Sequence, residues 1–123
     1  MRVFKTKLFH RWAVDEKLTD EALWKAASEM EQGLVDAQLG GHVFKKRVPI
    51  RGQGKRGGLR TLIAFKINDN AFFMFGFAKN EQDNISKKEL KALKALAEQL
   101  LSYNTQSINQ ALKVKELIEV NEL

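Results

Sequence analysis

The sequence contains no cysteine, only one proline (Pro49) and no apolar run of transmembrane length. The lack of cysteine excludes a disulfide scaffold, a thiolate zinc site and a cysteine nucleophile. A membrane-spanning helix needs about 20 consecutive apolar residues, so we expect no span. The N-terminus carries charges throughout and lacks the apolar centre of a secretory signal. These absences predict a cytoplasmic protein, and its 123 residues suit a single domain with its own core.

Acidic residues are absent from one long interval, between Asp36 and Asp69. The rest of the chain has 13 basic and 15 acidic residues, so the excess behind the net charge of +6 comes from this interval. Self-repulsion within such a cluster opposes folding unless a polyanionic partner offsets it. The interval therefore predicts a nucleic-acid surface, with a face kept charged for solubility as the competing interpretation. Its eight basic residues are Lys45, Lys46, Arg47, Arg51, Lys55, Arg56, Arg60 and Lys66.

Hydrophobic periodicity and turn residues predict an α+β fold with a small, mostly antiparallel four-stranded sheet. Two N-terminal helices and one C-terminal helix pack against it, in the order β-α-α-β-β-β-α. A tail over residues 104–123 is expected to hold a short helix near Ser107–Leu112 and an extended piece at Leu117–Val120. The predicted strands are Arg2–Phe4, Val43–Ile50, Leu59–Ile67 and Ala71–Ala78, and the helices begin near Thr6, Thr19 and Ser86.

Strand alternation places the side chains of Lys45 and Arg47 on one face of the Val43–Ile50 strand. Lys46 falls on the core-facing side, and we expect its stem to carry the ammonium out to solvent at an edge. Arg60 begins the next strand, so it can meet Lys45 and Arg47 on one sheet face. The glycines at 52, 54, 57 and 58 predict a flexible loop that carries the remaining basic residues, Arg51, Lys55 and Arg56.

Other motifs are weaker. The run GQGKRGG is excluded as a nucleotide-triphosphate loop, because Lys55 is followed by Arg56 rather than by Ser or Thr. Lys79 and Asn80 follow a buried strand, a position typical of function but also of a plain strand-to-helix junction. The two histidines are far apart and have no acidic residue at metal-ligand spacing. The sequence therefore predicts neither a metal site nor a cofactor.

Several of these segments together resemble the HigB-like branch of the RelE/ParE toxin superfamily. The resemblance runs from about Arg2 to Leu101, and its most specific parts are GKRGGLR and AKNE, in that order around a hairpin. It implies a single RelE-like toxin domain, with residues 104–123 as a C-terminal extension. The chain departs from some relatives at Asn80, where they carry arginine, and at Asp83-Asn84-Ile85, where they carry a tyrosine.

The resemblance implies a metal-independent endoribonuclease that enters the ribosomal A site and cleaves mRNA. It also implies a helix-turn-helix antitoxin that neutralises the toxin and carries it to operator DNA. The matching catalytic positions are Lys45, Arg47, Arg60, Lys79 and Asn80, with Lys46, Arg51, Lys55 and Arg56 as further RNA-binding residues. We expect Arg60 to bind the phosphate through its two-pronged guanidinium, and Lys45 or Lys79 to act as acid or base.

Two other functions remain open on the sequence alone. A protein of the same fold could inhibit DNA gyrase in the manner of ParE, without cutting RNA. A plain RNA- or DNA-binding module without toxicity would use the same basic residues.

Overall fold

The computed structural model describes residues 1–50, 54–79 and 84–122, with the backbone alone for residue 50 and residues 54–57. Four helices and six strands occur in this part of the chain, and their order confirms the α+β class. The elements are β1 (Val3–Thr6), α1 (Lys7–Asp15), α2 (Asp20–Glu31), β2 (Ala37–Gln38), β3 (Val43–Ile50), β4 (Gly54–Phe65), β5 (Ala71–Ala78), α3 (Lys87–Leu101), α4 (Thr105–Lys113) and β6 (Leu117–Val120).

The strands form one sheet in the order β2-β3-β4-β5-β1-β6. Only β1 and β5 run parallel, and the other neighbouring pairs are antiparallel. The predicted count of four strands is too low, because β2 has only two residues and β6 belongs to the predicted tail. Strands this short carry little periodicity, and pairing with a neighbour is what makes them strands.

Helix starts follow the local sequence as predicted. The Thr6 hydroxyl accepts a hydrogen bond from the Phe9 amide at 3.1 Å, and the Thr19 hydroxyl accepts one from the Ala22 amide at 3.2 Å. Ser86 and Glu89 form the reciprocal capping box that opens α3. Each cap satisfies an amide that the first turn of a helix leaves without a partner, so these starts are encoded locally.

Apolar side chains on both faces of the sheet form two core clusters. Phe73 and Ile63 pack with α1 and α2 on one face, and Phe72 and Leu62 pack with α3 and α4 on the other. The central strand β5 is apolar on both sides because helices cover both, as its sequence AFFMFGFA predicts. The side of the sheet covered by α1 and α2 is the α2 face, and the side covered by α3 and α4 is the α3 face.

The predicted tail is an integral part of the fold. It holds α4 and β6, as expected, and β6 pairs antiparallel with β1 at the sheet edge. Ile108 and Leu117 are 3% and 2% exposed, so this segment extends the core under α3. Arg2, which immediately precedes β1, also forms a 2.9 Å ion pair with Glu119 of β6.

The predicted glycine-rich loop is shorter than expected. β4 begins at Gly54, so the glycines at 54, 57 and 58 lie in a strand, and only Gly52 falls outside the described residues. The same strand ends at Phe65, two residues before the predicted end. Glycine disfavours a strand through its conformational freedom, but backbone pairing across a hairpin can outweigh that preference.

Candidate active site

Antiparallel pairing of β3 with β4 brings three predicted site residues together. Arg47 lies directly opposite Arg60, and Lys45 lies opposite Leu62. Directly opposed residues share a sheet face, with Cβ atoms about 4.5–5.5 Å apart. Leu62 belongs to the cluster that packs under α3, so Lys45, Arg47 and Arg60 all stand on the α3 face. The structure thus brings together the three residues that strand alternation placed on one face.

The basic residues begin where the apolar packing under α3 ends. On β5, Phe77 is the partner of Arg60, and Phe75 is the partner of Leu62. The rings of these two phenylalanines are 6.3 Å apart, which confirms that they share a face despite a bulge in β5. One row across the sheet therefore consists of Lys45, Leu62 and Phe75, and the next consists of Arg47, Arg60 and Phe77. Like charges placed directly opposite each other oppose strand pairing, so this row is not explained by folding.

Arg60 has the most informative surroundings. It is only 7% exposed, and its Nη1 donates a 2.8 Å hydrogen bond to the carbonyl of Gly58. Within the described ranges, no carboxylate lies within ion-pair distance of its guanidinium. Burial of a charge is costly unless an opposite charge accompanies it. Arg60 is thus a largely desolvated cation whose remaining donors suit an anion from outside the chain.

Arg47 is held through its backbone. Its amide donates to an Asp36 carboxylate oxygen, while its Nε stays 3.9 Å from the other oxygen. The Arg47 side chain remains 48% exposed, so the acid fixes the strand more firmly than it neutralises the guanidinium. Sequence reasoning missed this role of Asp36. The signal was present, since Asp36 is the last acidic residue before the acid-free interval.

Lys45 and Lys79 have no hydrogen bond or ion pair in the described part of the chain. Lys45 is half-buried on β3, and Lys79 is exposed immediately after β5. Because Ala78 pairs with Leu59, the chain leaves β5 at the same end of the sheet as Arg60. Lys79 therefore lies beyond the Arg47–Arg60 row, one strand away.

Lys46 corrects a sequence prediction. Its side chain does not emerge at an edge, since it is 5% exposed and points to the α2 face. Its Nζ contacts Glu29 Oε1 at 2.9 Å and the carbonyl of Leu34 at 2.9 Å. The acid comes from α2, and a pattern confined to β3 carries no information about which helix residue lies across from it. Lys46 is a structural cation on the opposite face from Lys45 and Arg47.

Four other predicted residues contribute no side-chain geometry. Asn80 and Arg51 lie outside the described residues. The backbones of Lys55 and Arg56 belong to β4, but their side chains fall outside the description.

The described ranges hold no group of three His, Asp or Glu side chains that could share a metal ion. In the same ranges, no helix is both long and apolar enough to cross a bilayer. The α3 face instead offers fixed cations and one guanidinium with spare donors. Such a surface is chemically suited to phosphate groups, because arginine can hold two oxygens at once and lysine supplies a point charge.

The fold and this surface define a class, namely small α+β proteins with a cationic sheet face flanked by a helix. The chain matches the family described as the RelE toxin of the RelE / RelB toxin-antitoxin system over residues 1–120. It therefore belongs to the RelE toxin family. The matched region includes α4 and almost all of the segment from residue 104 onward, which agrees with the packing of that segment into the core.

Proposed function

We propose that this protein is the toxin of a toxin–antitoxin pair and acts as an endoribonuclease that cleaves mRNA in the ribosomal A site. The observation that carries the proposal is the buried Arg60 on a basic sheet face, with no acid beside it in the described ranges. Membership of the RelE family supports the toxin role and a cognate antitoxin as partner. The motifs GKRGGLR and AKNE favour the HigB-like branch, in which the antitoxin is usually a helix-turn-helix protein.

The proposed chemistry uses the nucleophile that RNA itself carries. The 2′-oxygen bonds to the adjacent phosphorus, and the bond from phosphorus to the 5′-oxygen of the next nucleotide breaks. The base receives the proton of the 2′-hydroxyl, and the acid protonates the departing 5′-oxygen. The products are a 2′,3′-cyclic phosphate and a 5′-hydroxyl end.

The roles of the described site residues are proposed from their positions, and those of Asn80, Arg51, Lys55 and Arg56 rest on the resemblance alone. Arg60 stabilises the charge that develops on the phosphate, and Arg47 binds beside it from the opposed strand. Lys45 and Lys79 are the candidates for base and acid, and Asn80 is a further candidate contact. Arg51, Lys55 and Arg56 bind the surrounding RNA. Lys46 takes no part, because its ammonium is bound to Glu29 on the other face.

The test is cleavage of mRNA on purified, programmed ribosomes. Replacement of Arg60 or Lys45 should lower the rate by about 100-fold or more, since such groups typically contribute 10²–10⁴-fold. A Lys113→Ala variant is the control, because Lys113 is an exposed lysine at the end of α4. A 2′-deoxy nucleotide at the cleaved position should abolish cleavage while leaving ribosome binding intact.

Results on ribosomes or in cells can overturn the proposal. On ribosomes, these are cleavage at the wild-type rate by folded Arg60→Ala and Lys45→Ala proteins and undiminished cleavage of the 2′-deoxy substrate. In cells, intact mRNA together with a stop in DNA replication on induction would favour a gyrase inhibitor. Intact mRNA with normal growth would instead favour a non-toxic nucleic-acid-binding module.

A further inference from the structure

A second cationic site lies at the opposite end of β3 from Arg47. A groove of about 560 Å³ separates the turn between β2 and β3 from the second half of α3. Its basic lining residues are His42, Lys66 and Lys94, and Glu98 is the acidic residue among the described lining. The proposed function uses none of them.

Lys94 lies along a turn made of two glycines. A Cβ atom added to Gly40 would lie 3.2 Å from Lys94 Nζ, and one added to Gly41 would lie 3.1 Å from Lys94 Cγ. Gly40, Gly41 and His42 all have positive φ, at 86°, 59° and 63°. Positive φ values are unfavourable for most residues other than glycine. Because the two glycines have no Cβ atoms, the stem of Lys94 can approach the backbone of the turn. The ammonium of Lys94 is thereby brought to the mouth of the turn.

Hydrogen-bond donors around the groove are left unused. Neither the amides of Gly41 and His42 nor the ammonium groups of Lys66 and Lys94 have a partner in the described ranges. Glu98 lies one helical turn after Lys94, a spacing that favours an ion pair, yet no ion pair forms between them. Lys66 adds a charge from the acid-free interval, and it is exposed.

This groove is too far from Arg60 to bind the same phosphate. His42 precedes Arg47 by five positions, which corresponds to about 16 Å along an extended strand. The flank of α3 connects the two places. Lys87, Lys91 and Lys94 lie on one side of this helix at helical spacing, and α3 begins shortly after β5 ends, near Lys79.

We propose that the groove formed by the Gly40-Gly41-His42 turn, Lys66 and Lys94 binds a backbone phosphate of RNA, well away from the scissile phosphate. This inference rests on the proposed function for its choice of RNA as the polyanion. Phosphate oxygens accept hydrogen bonds from donors such as these two ammonium groups and the unpaired amides, and contacts of this kind carry no sequence information. The lysines along α3 continue the positive surface from this site toward the catalytic face.

The test measures how binding of a short, fully 2′-O-methylated RNA depends on salt, with the full chain as the protein. This RNA cannot be cleaved, so binding is measured apart from catalysis. A Lys66→Gln/Lys94→Gln protein should bind several-fold more weakly, and its log–log salt slope should fall by about 0.7 for each phosphate that it no longer neutralises. Lys17→Gln/Lys113→Gln is the matched control, because both lysines are exposed and the same net charge is removed. Glu98→Gln should strengthen binding, since it removes a carboxylate from the groove.

The same proteins assayed on purified ribosomes distinguish two sources of the phosphate. Weaker binding to ribosomes that carry no mRNA assigns the site to ribosomal RNA, and weaker binding that appears only on mRNA-programmed ribosomes assigns it to the mRNA strand. Equal slopes for the groove variant and the control in both assays would overturn the inference, as would an effect confined to antitoxin binding. If the groove variant binds RNA more weakly than the control but the wild-type protein does not cleave mRNA, the proposed function is refuted and this site stands.

Discussion

Lys46 and Arg60 are two buried cations on adjacent strands, and their surroundings predict opposite responses when each is changed to methionine. Lys46 is bound to Glu29 and to the Leu34 carbonyl on the α2 face. Arg60 has a carbonyl as its hydrogen-bond partner in the described ranges and stands on the α3 face. Methionine keeps an unbranched stem in both cases and removes the charge. We expect Lys46→Met to destabilise the fold and Arg60→Met to leave it as stable or more stable.

The magnitudes follow from these interactions. Removal of one partner from a buried ion pair typically costs about 3–5 kcal/mol. Glu29 keeps 23% of its side chain exposed and can regain some water, so we place Lys46→Met near the lower end, at about 3 kcal/mol. For a chain of this size that corresponds to a fall in Tm of roughly 10 °C. Arg60→Met loses one hydrogen bond from a charged donor, about 1.5–3 kcal/mol, but removes the desolvation cost of a buried charge, on the order of several kcal/mol.

Urea unfolding of both variants measures the difference, and the ribosome assay gives their activity. Lys46→Met should retain the wild-type cleavage rate per folded molecule, while Arg60→Met should lower it by about 100-fold. Glu29→Leu combined with Lys46→Met should recover much of the stability, because both charges are then gone. The reasoning fails if Lys46→Met unfolds at the wild-type urea concentration, or if Arg60→Met costs as much stability as Lys46→Met.

Three further changes test the fold. Gly76→Ala should cost about 1–3 kcal/mol in urea unfolding, because its Cβ would lie 2.2 Å from the Trp12 ring, and Trp12→Ala should relieve the clash. The hydrogen bond that Arg2 donates holds the pKa of Glu119 below its ordinary value of 4.5. The pair therefore stabilises the fold fully above pH 4.5, and this stabilisation is lost as the pH falls through the lowered pKa of Glu119. Glu119→Gln should reduce the loss of unfolding free energy at acid pH by less than about 1 kcal/mol, since the pair is well exposed. An unchanged dependence of stability on acid pH would contradict this contribution from the pair. Ser86→Ala should cost about 1 kcal/mol, and an unchanged unfolding midpoint would argue against the cap.

Local rules account for the parts of the site that the sequence predicts. Lys45 and Arg47 share a face because strand side chains alternate, and Arg60 joins them because a hairpin fixes the register of its two strands. The prediction that Lys46 carries its ammonium out to solvent was wrong, because that group is held by Glu29, which lies seventeen residues earlier and on a different element. The contact between Arg47 and Asp36 could not be predicted for the same reason, because the acid lies eleven residues earlier and outside β3.

The sequence by itself determined the α+β class, the helix caps, the main strands and the acid-free interval, because each depends on neighbours within a few residues. It also determined that the excess positive charge would concentrate on the strands around Arg60. Only the tertiary structure decided that β6 closes the sheet against β1, since four residues acquire a strand's hydrogen bonds only from a distant partner. It also decided which cations are neutralised and which remain available. Lys46 met an acid from α2, whereas Arg60, also buried, met none in the described part of the chain, and burial of a charge without a partner is costly.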